Sequence, residues 1–300
     1  MTRRKSGTSE GQAHRFGGDW TATKLGILRS YLEAYVQVLK KQPYRTAYID
    51  AFAGTGYRTL QQTDVEGTLL FPDLAQEAPQ GLLEGSARMA LKVDPPFDSY
   101  IFVEKSRERC DQLEGLKAEF LGREIRIQQG DANEVIQALC KKRWSQHRAV
   151  LFLDPYGMEV EWATIEKIAG TKAIDLWLLF PLGIGVNRLL PRTGKIPEGW
   201  RTRLNLFLGT EDWYQVFYQE ETERTLFGDE QRLVKAKVET IGDYFVERLK
   251  SVFPDVAPKP KILMNSANCP LYLFCFAVSS PNPKARGIAM RIAKHLLESD

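Results

Sequence analysis

The 300-residue chain is poor in the residues that bind metals or staple small folds. Its four cysteines, Cys110, Cys140, Cys269 and Cys275, are scattered without a CxxC pair, and its three histidines, His14, His147 and His295, lie equally far apart. That spacing excludes a local zinc motif, so no metal is expected, and the thiols read as buried free cysteines in a reducing compartment. No apolar run reaches the roughly 18 residues that cross a bilayer. The opening Met1-Thr2-Arg3-Arg4-Lys5 lacks the apolar segment of a secretion signal. Residues 1–18 therefore read as a flexible arm of a cytoplasmic protein. An excess of one charge is missing too. Lys and Arg number 41 against 38 Asp and Glu, a net +3 that does not by itself mark a nucleic-acid binder. The 43% hydrophobic and 26% charged content excludes a disordered or fibrous chain.

What is present is a rhythm. Leu25, Leu28, Leu32, Tyr35, Val36 and Leu39 recur at helical spacing over residues 20–41, with Asp19 or Thr21 as cap. A short strand over 48–52 follows. The polar stretch at about 57–81 is too long for an ordinary connection and reads as a surface insertion. Strands at 99–103, 125–129, 149–153 and 174–180 then alternate with helices, which predicts parallel pairing with right-handed crossovers. Segments 261–264 and 271–278 are too close in sequence for a crossover and should pair antiparallel. Between them and the fifth strand, about 181–258 reads as a helical subdomain, with a long helix over 230–252. The expected architecture is one domain over 19–300: a doubly wound, Rossmann-like α/β sheet with a C-terminal antiparallel edge and a helical insertion.

Four strand ends carry residues with chemistry. Asp50-Ala51-Phe52-Ala53-Gly54-Thr55-Gly56 sets an acid, an aromatic and two glycines after the first strand, where bare backbone can approach a ligand. Thr59 stands where a dinucleotide fingerprint has its third glycine, which disfavours a nicotinamide or flavin. Glu104 ends the second strand and can accept from ribose hydroxyls; the polar stretch accounts for its distance from the glycines. Gly130-Asp131-Ala132 follows the third strand, where Asp131 can accept from an adenine amino group or merely cap the next helix. Asp154-Pro155-Tyr156-Gly157 follows the fourth. There Asp154 and the Pro155 carbonyl can hold an amine and Tyr156 can stack on a base, although the same residue types also make a plain turn. Beyond the fifth strand, Arg188, Arg192, Lys195, Arg201 and Arg203 surround Trp200, a pattern suited to a nucleic-acid backbone. Glu211, Asp212, Glu220, Glu221, Glu223, Asp229 and Glu230 form the opposite patch, suited to a basic partner.

The motifs at 50–56 and 154–157 resemble those of class I S-adenosylmethionine-dependent methyltransferases acting on exocyclic amines of bases. More closely, the chain is similar to the three-Cys-motif partner proteins. That likeness runs through His14-Arg15-Phe16, Trp20 to Lys24, Asp50 to Gly56, Glu84 to Ala87, Val103-Glu104, Asp154 to Gly157, Pro181-Leu182-Gly183 and Asn187-Arg188. The resemblance implies S-adenosylmethionine as cofactor, held by Lys24, Asp50, Phe52, Gly54, Gly56, Glu104, Asp131 and Ala132. It implies Asp154, Pro155 and Tyr156 as the catalytic set at the acceptor amine, and a substrate surface including Asn187 and Arg188, to which Trp200 and Arg201 are added. It also implies a partner carrying a cysteine cluster, encoded nearby. One proline separates acid from aromatic here, where amino methyltransferases usually carry two; the single-proline form resembles some tRNA guanine-N2 methyltransferases. The reading is a methyltransferase acting on a nucleobase amine in RNA or DNA, with a donor-binding partner subunit as the alternative.

Overall fold

The apolar alternation along the strands builds two cores, one on each face of a single sheet. The structure, a computed structural model, describes residues 19–53, 85–155, 157–225 and 228–299. The expected arm at 1–18 and the insertion at 57–81 lie outside the described residues. In chain order the elements are α1 (Asp19–Leu39), β1 (Arg45–Asp50), α2 (Ser86–Leu91), β2 (Ser99–Glu104), α3 (Arg107–Glu119), β3 (Ile125–Gln129), α4 (Ala132–Cys140), β4 (His147–Leu153), α5 (Trp162–Gly170) and β5 (Ile174–Phe180). Then come a π turn (Leu182–Val186), a 3-10 turn (Asn187–Leu189), α6 (Glu198–Leu208), α7 (Trp213–Phe217), β6 (Tyr218–Thr225), β7 (Gly228–Lys235) and α8 (Val238–Lys250). The chain closes with β8 (Asp255–Val256), β9 (Lys261–Met264), β10 (Pro270–Val278) and α9 (Pro283–Glu298).

The main sheet runs β3-β2-β1-β4-β5-β10-β8, with β9 also on β10. The first five strands are parallel and β9 pairs antiparallel with β10, as the strand spacing predicts, and β10 is in turn antiparallel to β5. Strand order reverses at β1, so the crevice beyond the carboxyl ends of β1 and β4 is the switch point where open sheets bind ligands. Side chains alternate between the two faces along each strand: Ile49, Leu151 and Leu176 face one core with α4, α5, α6 and α8, and Tyr48, Phe152 and Trp177 face the other with α1, α2, α3 and α9. Strands buried on both faces read as continuous apolar runs, which is why β4 and β5 were legible.

One region differs from expectation. The helix expected over 230–252 begins only at Val238, because residues up to Lys235 form β7, which pairs with β6 in a two-stranded hairpin, so the insertion is not wholly helical. The helix behind it is anchored by aromatic stacking. Phe245 lies 4.0 Å from the Phe180 ring, and Phe207 lies 5.6 Å from Phe180. Each such pair contributes about 0.5–1.5 kcal/mol beyond area burial. Among the described residues no helix is long and apolar enough to cross a membrane.

Candidate active site

Parallel pairing brings the first and fourth strand ends together. Asp50 pairs in register with Phe102 on one side and Phe152 on the other, so Glu104 and Asp154 each stand two residues beyond its level. The ladder continues past the strand: the Ala51 amide donates to the Phe152 carbonyl (3.1 Å) and the Ala53 amide to the Val103 carbonyl (3.0 Å). The backbone therefore reaches the crevice beside Glu104 just where Gly54 follows. Gly54, Gly56 and Tyr156 lie outside the described residues.

Asp50 is fully buried. The Phe52 amide donates to its Oδ1 (3.1 Å), the Tyr48 hydroxyl lies 3.4 Å from its Oδ2, and the Ser86 hydroxyl also hydrogen-bonds to it. Burial pushes this carboxyl up to about 6, helped by the Asp154 charge and opposed by the Ser86 and Phe52 hydrogen bonds and by Lys24. Asp50, Asp154 and Lys24 thus share one electrostatic neighbourhood.

Lys24 is the strongest tie in it. Its ammonium is buried and sits 2.6 Å from Asp154 Oδ2, with the Trp20 ring centroid at 5.1 Å and that of Phe152 at 5.9 Å. Trp20 in turn packs on Tyr272 at 5.1 Å. A lysine so desolvated needs a counter-ion, and Asp154 is the one it has. The resemblance assigned Lys24 to the donor; the structure places it on the acid of the fourth strand, reaching Asp50 only through space. One oxygen of Asp154 is therefore taken, and Oδ1 has no hydrogen bond among the described residues. Pro155 is buried, and Gly157 adopts φ 71°, a left-handed conformation that favours glycine and turns the chain sharply after the acid.

The other strand ends are equally ordered. Glu104 accepts from the Ser106 amide through Oε1 (2.7 Å), and Arg109 Nη1 lies 3.6 Å from its Oε2. Asp131 caps α4, its Oδ1 accepting from the amides of Asn133 (2.9 Å) and Glu134 (3.4 Å). Capping uses Oδ1, and Oδ2 has no hydrogen bond among the described residues, so the cap and a ligand contact are compatible. Ala132 opens α4 beside it. Asn133 braces the loop that follows β4: its Nδ2 donates to the Glu159 carbonyl (2.8 Å), and its Oδ1 accepts from the Glu161 amide (2.9 Å) and the Thr164 hydroxyl (2.8 Å). Arg109 and Asn133 carry no ligand signal in the sequence, because their partners are 5 and 26 or more residues away in the chain.

The expected substrate residues divide. Asn187 and Arg188 sit on the 3-10 turn that leaves β5, at the same end of the sheet as Asp154. A Cβ on Gly183 would drive into the Pro270 carbonyl, which fixes this turn against β10. Trp200 packs half-buried on the core, and the Arg201 guanidinium lies 5.0 Å from the Tyr214 ring centroid and 6.0 Å from that of Trp213. Both are half-buried on α6 and touch its packing partners. Among the described residues no three His, Cys, Asp or Glu side chains gather as metal ligands do.

No family model matches the chain, and no curated protein does. Among solved structures it is similar to protein LPL1258 of Legionella pneumophila, at 12% identity over 78% of this chain and 94% of that one, with TM-score 0.38. It is similar to an S-adenosylmethionine-dependent methyltransferase from Clostridium acetobutylicum, at 12% identity over 83% and 91%, with TM-score 0.35. The N-terminal domain of EvdMO1, solved with S-adenosylhomocysteine bound, matches at 11% identity over 83% and 80%, with TM-score 0.35. These likenesses are remote, and the strand order and the side chains at its reversal point carry the description: a Rossmann-like α/β sheet with four ordered acids along its carboxyl rim.

Proposed function

We propose that the chain is an S-adenosylmethionine-dependent methyltransferase acting on an exocyclic amine, with a nucleobase in RNA or DNA as acceptor. The observation that carries this reading is the pairing of Asp50 and Asp154 at adjacent strand ends, in electrostatic contact across the switch point. The donor set fits the cofactor's chemistry: Asp50 suits its cationic part, Glu104 a vicinal diol, and the open oxygen of Asp131 an exocyclic amino group. Phe52, Ala132 and the glycines at 54 and 56 would complete that wall. Bound there, S-adenosylmethionine supplies a methyl group activated by a sulfonium.

The residues of the chain then have simple tasks. Lys24 holds Asp154 by Oδ2 and leaves Oδ1 to accept an amine hydrogen. The Pro155 carbonyl would accept the other. With both hydrogens held, the amine lone pair is directed at the donor, and in-line transfer needs only this alignment. Tyr156 would stack on the base. Asp154 would take up the proton shed by the methylated amine.

Calorimetric titration with S-adenosylmethionine, followed by transfer of tritiated methyl groups onto total RNA, DNA and protein, tests the reading. Micromolar donor binding and label in nucleic acid support it; absence of donor binding removes it. The second reading, a donor-binding subunit of a cysteine-motif partner, is favoured by the exposed Glu220 and Glu221 on the free-standing hairpin. Donor binding without transfer, together with copurification of that partner, selects it.

A further inference from the structure

The hairpin that the sequence conceals also delivers a cation to the rim. Lys235, the last residue of β7, pairs in register with Tyr218. The base of the hairpin clasps the loop that follows β5: the Tyr218 hydroxyl donates to the Pro191 carbonyl (2.7 Å), and the Tyr214 hydroxyl, from α7, to the Gly194 carbonyl (3.1 Å). Lys235 Nζ donates to the Asn187 carbonyl (2.8 Å). An ammonium has three donors, so two remain. Arg192, exposed on the clasped loop, is near enough to repel it; burial first and Arg192 second hold the Lys235 ammonium below the usual lysine range. Among the described residues no carboxylate pairs with either group.

Arg192 directly follows the Pro191 whose carbonyl is held by Tyr218, the cross-strand partner of Lys235, so the two cations belong to one clasp, and among the described residues neither has a carboxylate partner. Their place narrows the choice of anion. β4 and β5 are adjacent and parallel, so the loops that follow them leave from one end of the sheet. They touch: a Cβ on Gly185 would lie 3.9 Å from Met158 Cγ, four residues after Asp154. The donor wall lies on the other side of β4, at β1 and β2, so the cofactor's own carboxylate belongs there.

We propose that Arg192 and Lys235 form a phosphodiester clamp that grips the backbone of a nucleic-acid acceptor beside its target base. The inference rests on the nucleobase reading above and deepens it. An unpaired strand suits the clamp, because a base must leave its stack to reach Asp154. The Arg192–Lys235 pair then sets register, and base identity is read elsewhere.

The test uses a fluorescent single-stranded RNA oligonucleotide, its DNA counterpart and a nucleoside monophosphate as competitor, with the full chain. Arg192→Gln and Lys235→Gln should each weaken oligonucleotide binding alike across sequences. Each should lower the slope of log affinity against log salt by about 0.7, the single-strand value per phosphate contact. Lys294→Gln, on the exposed face of α9, should leave both unchanged. Calorimetric donor affinity and melting temperature of Arg192→Gln should match wild type, which separates a clamp from a folding role. Oligonucleotide binding with unchanged slope in both variants overturns the clamp and leaves the methyltransferase reading standing. Loss of donor binding in wild type overturns that reading and leaves the slope result standing. Competition by the monophosphate at the oligonucleotide's own affinity would make the ligand a free phosphate and also overturn the clamp.

Discussion

Two buried aspartates sit at opposite ends of the same sheet. Asp50 closes β1 at the carboxyl rim, and Asp175 opens β5 at the other edge. Both are pushed up by burial, Asp50 to about 6 and Asp175 to about 7. Their company differs. Asp175 receives the Tyr31 hydroxyl at 2.7 Å, with Arg148 as the nearby cation, and nothing acidic perturbs it. Asp50 has Asp154 and Lys24 in its electrostatic surroundings, at the adjacent carboxyl ends of β1 and β4. Both acids are hydrogen-bonded within the fold, and a shifted pKa alone does not tell a structural acid from a functional one. What sets Asp50 apart is the second acid, Asp154, at the neighbouring strand end, and the proposed function rests on that difference.

The largest contrast should come from removing the acids of each end. Asp154→Ala alone strands a buried lysine, which costs about 3–5 kcal/mol where one partner of a buried pair is lost. We therefore pair it with Lys24→Met. The double variant should lose methyl transfer by at least about 100-fold, the low end of what a positioned acid–base group supplies, while donor affinity changes little. Asp175→Asn should leave the rate within about twofold. A double variant that transfers methyl groups at the wild-type rate breaks the catalytic half of the comparison.

Lys24→Met by itself sharpens the rim. If Lys24 positions Asp154, kcat falls and donor affinity holds; if it binds the donor, donor affinity falls first. Single-turnover rates and calorimetry on one preparation separate the two.

At the other end, Tyr31→Phe should destabilise the fold by about 1–3 kcal/mol, the cost of a buried acceptor left without its donor. Urea unfolding reads this, with donor affinity unchanged. A smaller, signed effect follows from pH. Asp175 binds its proton more tightly folded than unfolded, so its stabilising contribution is present below about pH 4 and is lost as pH rises through about 7. Asp50 acts in the same direction over a window ending near 6. Stability should therefore fall between about pH 4 and 7, less steeply in Asp175→Asn.

The sequence made the doubly wound sheet legible, because β1, β4 and β5 bury both faces and the helices between them keep their apolar stripes. It made the strand-end acids legible, because topology puts loops of ligand-binding sheets at one end. It hid the hairpin. Gln219-Glu220-Glu221-Thr222 has no apolar alternation, since these residues are exposed on a ribbon that packs on the core only at its base, through Tyr218 and Leu233. Leu233, Val234, Ala236 and Val238 mimic helical spacing and extended the predicted α8 backward. It also hid the bonds that decide roles. Lys24 and Asp154 are 130 residues apart and Tyr31 and Asp175 144, and no local pattern records such pairs.

The most direct test of the central claim is the calorimetric affinity for S-adenosylmethionine as a function of pH. A cationic ligand held by ionised Asp50 should bind more tightly as pH rises through about 6. The rise should vanish in Asp50→Asn and persist in Asp175→Asn. No binding at any pH, or an unchanged rise in Asp50→Asn, would contradict the account.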